Sequence, residues 1–216
     1  MITKIKFDNK WITYNSCKKS ILVIGPGGGC MRNKNLYNVL RINNFLITEI
    51  HANEYDQYPN SNKNLNLNTF SKIVYRTIIK LIINNKGPSI IICGSRGGTH
   101  TIISLWENYW LGPTMVINSG CIFNKIQLPK IPIVFITMGN DYFPTSNYKE
   151  TKYNIQKLVN YNYLHYYNKF DYHMPQFLFL VINELVNLLI NNLKNIPEQF
   201  KNIDDYYYDF NYNNNY

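Results

Sequence analysis

Ser89-Ile90-Ile91-Ile92-Cys93-Gly94-Ser95-Arg96-Gly97-Gly98 is the stretch whose reading decides the fold of this chain. An unbroken apolar run ends in a serine set among small residues, and the helical pattern Thr99 to Trp110 follows. Ser89 to Gly94 has the length and β-branched content of a buried strand, so the segment predicts strand, tight turn, helix. At such an apex the backbone bends sharply, and Cys93 and Gly97, two positions either side of Ser95, must be small to avoid colliding across the turn. The turn lifts one hydroxyl out of the sheet and into solvent reach. Ser95 is therefore a nucleophile candidate.

Working outward, Ile21 to Ile24 reads as a short buried strand followed by Gly25-Pro26-Gly27-Gly28-Gly29, and Asn35 to Ile42 has a short helical pattern. Phe45 to Ile50 is the next strand. Asn68 stands as the cap of an amphipathic helix with Phe70, Ile73, Val74, Ile78, Leu81 and Ile82 on one face, ended by Gly87-Pro88. Beyond the elbow, Thr114 to Asn118 and Ile131 to Thr137 read as strands, Ser146 to Val159 as a helix and Tyr161 to Tyr167 as a tyrosine-rich strand. Pro175 opens an apolar helix to Lys194, with proline at the first turn where its missing N–H costs nothing. Strands alternate with helices and read as continuous apolar runs, the signature of a mostly parallel sheet covered on both faces, a three-layer α/β/α sandwich. Ile5, Phe7, Trp11 and Ile12 alternate well enough to supply one or two antiparallel edge strands.

A chain of 216 residues with 45% hydrophobic content forms one domain, placed at 1–196, before a Tyr/Asn/Asp-rich low-complexity tail at 197–216. The formal charge of +9 carries no nucleic-acid signature, because the bases are scattered singly and Lys18-Lys19 is the one adjacent pair. The N-terminus lacks an apolar core of signal-peptide length, and no segment offers a membrane span, so the expected location is cytoplasmic. Cys17, Cys30, Cys93 and Cys121 show no CxxC spacing and read as reduced thiols. Neither a metal nor a cofactor is called for.

A serine hydroxyl needs a neighbouring imidazole to take its proton, and the imidazole needs a carboxylate to fix its tautomer. In a parallel sheet the loops at the carboxyl ends of the strands converge on one edge, so both partners belong just after strands. Asp141 follows Ile131 to Thr137 through Met138-Gly139-Asn140, and His173 follows the tyrosine-rich strand and precedes Pro175. Asp171 is the rival acid, but two residues from His173 is a poor spacing for meeting the far edge of the ring. His51 follows the Phe45 to Ile50 strand, where it could touch substrate, though a structural role is the first reading; His100 and His165 read as structural residues. Ser119 also follows a strand, yet Asn118-Ser119-Gly120-Cys121 lacks the small-residue frame.

Over Ile21 to Lys194 the chain resembles the α/β-hydrolase superfamily, in the order serine, acid, histidine. Cys93-Gly94-Ser95-Arg96-Gly97 stands for the nucleophile elbow, Gly139-Asn140-Asp141 for the acid turn, and Asp171-Tyr172-His173 precedes the closing helix. The resemblance implies Ser95 as nucleophile, His173 as general base and later general acid, and Asp141 as its orienter. Cys93 replaces the first glycine of the commonest elbow. Pro26-Gly27-Gly28-Gly29 resembles an HGGG-type oxyanion loop with proline in place of histidine, which implies the amides of Gly28 or Gly29 and of Arg96 as the oxyanion donors.

The same glycine run read as a phosphate loop fails on detail, since no Gly-Lys-Ser/Thr follows and Cys30 stands where a dinucleotide fingerprint wants its last glycine. Too little chain lies between Gly120 and Ile131, or after Asp141, for a helical lid. Ala52 to Leu67, with Tyr55, Tyr58 and Pro59, is the one roomy loop at the site edge. An open cleft of this kind fits a small ester or thioester, with an acyl group on a protein as the second substrate class. The competing reading keeps the scaffold as a non-catalytic binding or interaction protein.

Overall fold

A computed structural model describes residues 3–7, 10–14, 19–25, 34–51, 67–119, 131–141, 148–156, 162–172, 175–197 and 200. Six parallel strands form the central sheet: β3 (Ser20–Gly25), β4 (Leu46–His51), β5 (Ile90–Gly94), β7 (Thr114–Ile117), β8 (Ile133–Asn140) and β9 (Tyr163–Tyr172), in spatial order β4-β3-β5-β7-β8-β9. Helices α1 (Lys34–Ile42) and α5 (Ile182–Ile190) cover one face, and α2 (Leu67–Ile83) and α3 (Arg96–Asn108) the other. The two-residue period of each strand divides its side chains between these layers. Ile21, Val23, Ile90 and Ile92 join Leu36, Leu40, Leu185 and Leu189, whereas Leu22, Ile24, Ile91 and Cys93 join Val74, Ile78, Leu105 and Trp106. Burial on both faces is why the strands read as unbroken apolar runs.

The N-terminal strands do not extend this sheet. β1 (Thr3–Phe7) and β2 (Lys10–Tyr14) pair antiparallel with each other, and β1 also pairs with β6 (Trp110–Leu111), giving a separate three-stranded sheet in the order β2-β1-β6. Trp110 anchors this small sheet in the core: it is fully buried, and its indole N–H donates to the Thr114 hydroxyl at 3.3 Å. The Trp106 indole donates to the same oxygen at 3.2 Å. On the other side, the hydroxyl of Tyr14 donates to the carbonyl of Pro88, and burial pushes its ionisation well above the ordinary phenol range.

Three helices differ at their boundaries from the periodicity reading. α3 begins at Arg96, directly after Ser95, and stops at Asn108, so Trp110 belongs to a strand. Asn68 lies inside α2 and does not cap it. No continuous helix starts at Pro175: a 3-10 turn at Leu178–Leu180 precedes α5. The remaining helix, α4 (Tyr148–Gln156), packs against β8. Phe200, within the stretch counted as tail, is buried edge-on against Tyr166, with ring centroids 6.1 Å apart.

Candidate active site

Ser95 occupies the junction of β5 and α3 with φ 49° and ψ −126°, a conformation that costs a residue with a side chain about 1–3 kcal/mol. The apex is held from both sides. The Ser95 N–H donates to the Ile117 carbonyl at 2.9 Å, and its carbonyl accepts the Gly98 N–H at 3.1 Å. Gly97 permits the helix to press onto β3, because a Cβ there would lie 2.6 Å from the Ile24 carbonyl oxygen. Cys93 is a buried thiol donating to the Met115 carbonyl at 3.4 Å, so it serves the core while meeting the demand for a compact residue. Ser95 itself is partly exposed. Arg96 is the first residue of α3, where amides have no partner within the helix and the helix dipole favours negative charge.

The strand order reverses between β3 and β5, so the crevice beyond their carboxyl ends is the place where open α/β sheets bind ligands. Ser95 stands at that crevice. Asp141 follows β8 on the same sheet edge, partly exposed, just past a register irregularity between Met138 and Asn140, and its N–H donates to the Met138 carbonyl at 3.3 Å. β9, next to β8, runs to Tyr172 and leads directly into position 173. The structure thus brings Ser95, Arg96 and Asp141 to one edge of the sheet. His173, Gly28 and Gly29 lie outside the described residues, as do the residues 52–66 expected to wall the cleft and the short connections 120–130 and 142–147.

Asp171, the rival acid, is fully buried at the end of β9. Its Oδ1 accepts the N–H groups of Tyr172 at 2.9 Å and Gln176 at 2.7 Å, and its Oδ2 accepts that of Phe177 at 2.9 Å. The carboxylate therefore ties the end of β9 to the main chain at Gln176 and Phe177. His165 lies within β9, 3% exposed, with Nε2 2.8 Å from the Thr137 hydroxyl and its ring stacked on Tyr148. Burial, and secondarily the charge of Lys152, push it down to about 3, so it is a neutral core residue. His51 ends β4 and His100 lies in the second turn of α3.

Sequence reading set Ser119 aside as a nucleophile and did not weigh Asn118; both stand directly after β7. Ser119 is 4% exposed, with its hydroxyl 3.0 Å from the Ser95 carbonyl oxygen. The available signal was an asparagine directly after a buried strand, a residue type that tolerates the positive φ of 45° found there.

Solved structures share this architecture. SOBER1 F65L of Arabidopsis thaliana superposes with a TM-score of 0.57 at 14% identity, over 81% of this chain and 100% of its own. Esterase PE8 gives a TM-score of 0.61 at 12% identity, over 81% of this chain and 94% of its own. An alpha-beta serine hydrolase homologue from Coxiella burnetii gives 0.56 at 13% identity, over 82% of this chain and 86% of its own. The chain has the α/β-hydrolase fold. No protein-family model and no curated protein sequence matches it. Ser95 stands at the strand-to-helix turn between β5 and α3 of that fold.

Proposed function

We propose that the protein is a serine hydrolase that cleaves a carboxylic ester or thioester through an acyl-enzyme on Ser95. The observation that carries this reading is the strained, partly exposed serine at the sheet crevice, on a fold shared with an esterase and a serine hydrolase homologue. Backbone strain at a non-glycine residue persists only where the surrounding structure enforces it, and here two main-chain hydrogen bonds and a helix pressed against β3 do so.

In the proposed reaction His173 takes the Ser95 proton as Oγ attacks the substrate carbonyl carbon, and the carbonyl electron pair moves onto oxygen. The amides of Arg96 and of Gly28 or Gly29 donate to that oxyanion, and one such donor is worth about 2.7–4 kcal/mol. Collapse of the tetrahedral intermediate breaks the C–O or C–S bond, and the leaving group receives the proton from His173. Water then gives a proton to His173 and attacks the acyl carbon; the acid departs and the proton returns to Ser95. Asp141 orients the imidazole and stabilises its charged form. A small ester is the first substrate class, and an acyl group carried on a protein the second.

Labelling with a fluorophosphonate probe tests the reading. The native protein should form one covalent adduct, absent from Ser95→Ala, and His173→Ala should remain folded but fail to acylate. A folded native sample that does not label would return the protein to the non-catalytic class. Turnover of p-nitrophenyl acetate at the native rate by His173→Ala would overturn the triad.

A further inference from the structure

The carboxyl end of β7 lies between the strand that carries Ser95 and the two that lead to Asp141 and His173, and the proposed chemistry gives its residues nothing to do. Asn118 and Ser119, 1% and 4% exposed, are turned into that gap. The Ser119 hydroxyl lies 3.0 Å from the Ser95 carbonyl oxygen and 3.1 Å from that of Ile117, so its single proton is shared between the elbow and its own strand. Asn118 Oδ1 accepts the Met138 N–H at 3.0 Å, and its Nδ2 donates to the Tyr172 carbonyl at 3.3 Å. Met138 in turn accepts the Asp141 N–H, and Tyr172 is covalently joined to His173.

Two adjacent side chains therefore hold main-chain atoms of Ser95, of Met138, which accepts from Asp141, and of Tyr172, which precedes His173. We propose that Asn118 and Ser119 are a positioning pair that fixes the spacing of Ser95, Asp141 and His173, an inference resting on the triad reading above. Two further observations support it. Asn118 holds φ 45°, where glycine would be unstrained, and the asparagine side chain supplies two hydrogen bonds that glycine lacks. Gly98 leaves room for Ser119 on the elbow, since a Cβ at 98 would stand 2.8 Å from Ser119 Cβ. Both groups act on backbone atoms, so neither is a catalytic residue. Their contribution is geometric, and a displacement of about 1 Å at a reacting group costs on the order of 100-fold in rate.

The test uses Asn118→Asp, which keeps the acceptor for Met138 but turns an oxygen toward the Tyr172 carbonyl, and Ser119→Ala. With p-nitrophenyl acetate, kcat should fall by roughly 10- to 100-fold in each while KM stays within about twofold. Amide hydrogen exchange supplies a readout independent of activity. Exchange should quicken at Asp141 and Phe177 in Asn118→Asp and at Gly98 in Ser119→Ala, with Ile24 and Ile50 unchanged. Native kcat in both variants, or exchange that rises equally across the whole sheet, would overturn the positioning role. A native protein that neither labels nor turns over would remove the triad reading instead, and the exchange pattern would still decide whether the pair holds these turns.

Discussion

Ser95 and Ser119 follow neighbouring strands of one sheet, and they are put to opposite uses. Ser95 is lifted onto a backbone with positive φ and reaches solvent, whereas Ser119 is buried with its hydroxyl directed to main-chain carbonyls, one of them that of Ser95. The two carboxylates of this edge divide in the same way. Asp141 stands partly exposed beyond β8, and Asp171 is fully buried beneath three amides. Residue type and place after a strand do not separate the members of either pair. What separates them is burial: Ser119 and Asp171 are held inside on main-chain partners, because a buried N–H or C=O left without a partner costs about 1–3 kcal/mol.

The largest expected effect breaks the carboxylate pair by charge. On the proposed reading Asp141→Asn lowers kcat by about 10⁴-fold, the cost of an imidazole held in the wrong tautomer, while the urea midpoint stays near native. Asp171→Asn should do the reverse in emphasis. An amide nitrogen turned toward the Tyr172, Gln176 or Phe177 N–H loses at least one buried charge-assisted hydrogen bond, for a loss of about 2–3 kcal/mol in stability. Steady-state kinetics and urea unfolding on both variants decide it. A large loss of kcat in Asp171→Asn with unaltered kcat in Asp141→Asn would exchange their roles.

Sequence reading reached the strand-turn-helix at Ser95 because its signals are local: an apolar strand, small flanking residues and a serine at fixed offsets. It placed the start of α3 three residues late because Gly97 and Gly98 are poor helix formers, and tertiary contact overrides that propensity. It could not find β6, a two-residue strand whose identity is set by its partner β1 over 100 positions away in the chain. The helix expected from Pro175 is instead a 3-10 turn followed by α5, and the buried carboxylate that takes the amides of Gln176 and Phe177 is one that no spacing announces. Asn118 and Ser119 were passed over because their partners come from three different strands.

A histidine pair extends the comparison to pH. His173 is the proposed proton carrier, and His165, eight residues earlier, is a core residue held neutral. The ordinary value of 6.5 applies to His165 in the unfolded chain, and in the folded chain it falls to about 3. Between these values the unfolded state binds the additional proton. The contribution is fully present above about 6.5 and is lost as pH falls toward 3, at up to roughly 1 kcal/mol per pH unit. Urea unfolding at pH 7, 5 and 4 should show this slope in the native protein and a shallower one in His165→Gln. Equal slopes would mean that His165 does not carry it.

The smallest expected effect returns to the two serines and differs between them in sign. Ser95→Gly relieves a positive φ whose strain is about 1–3 kcal/mol, against a loss of about 1 kcal/mol for the greater freedom of glycine in the unfolded chain. The net gain is about 1 kcal/mol of stability, together with the loss of fluorophosphonate labelling. Ser119→Ala removes a hydroxyl from two buried carbonyls and should lose about 1 kcal/mol. Urea midpoints moving in opposite directions would mean that strain at the elbow is stored at Ser95 and held there in part by Ser119. A Ser95→Gly variant less stable than the native protein would show that the apex conformation carries no strain, and the backbone argument for a nucleophile at this turn would lose its force.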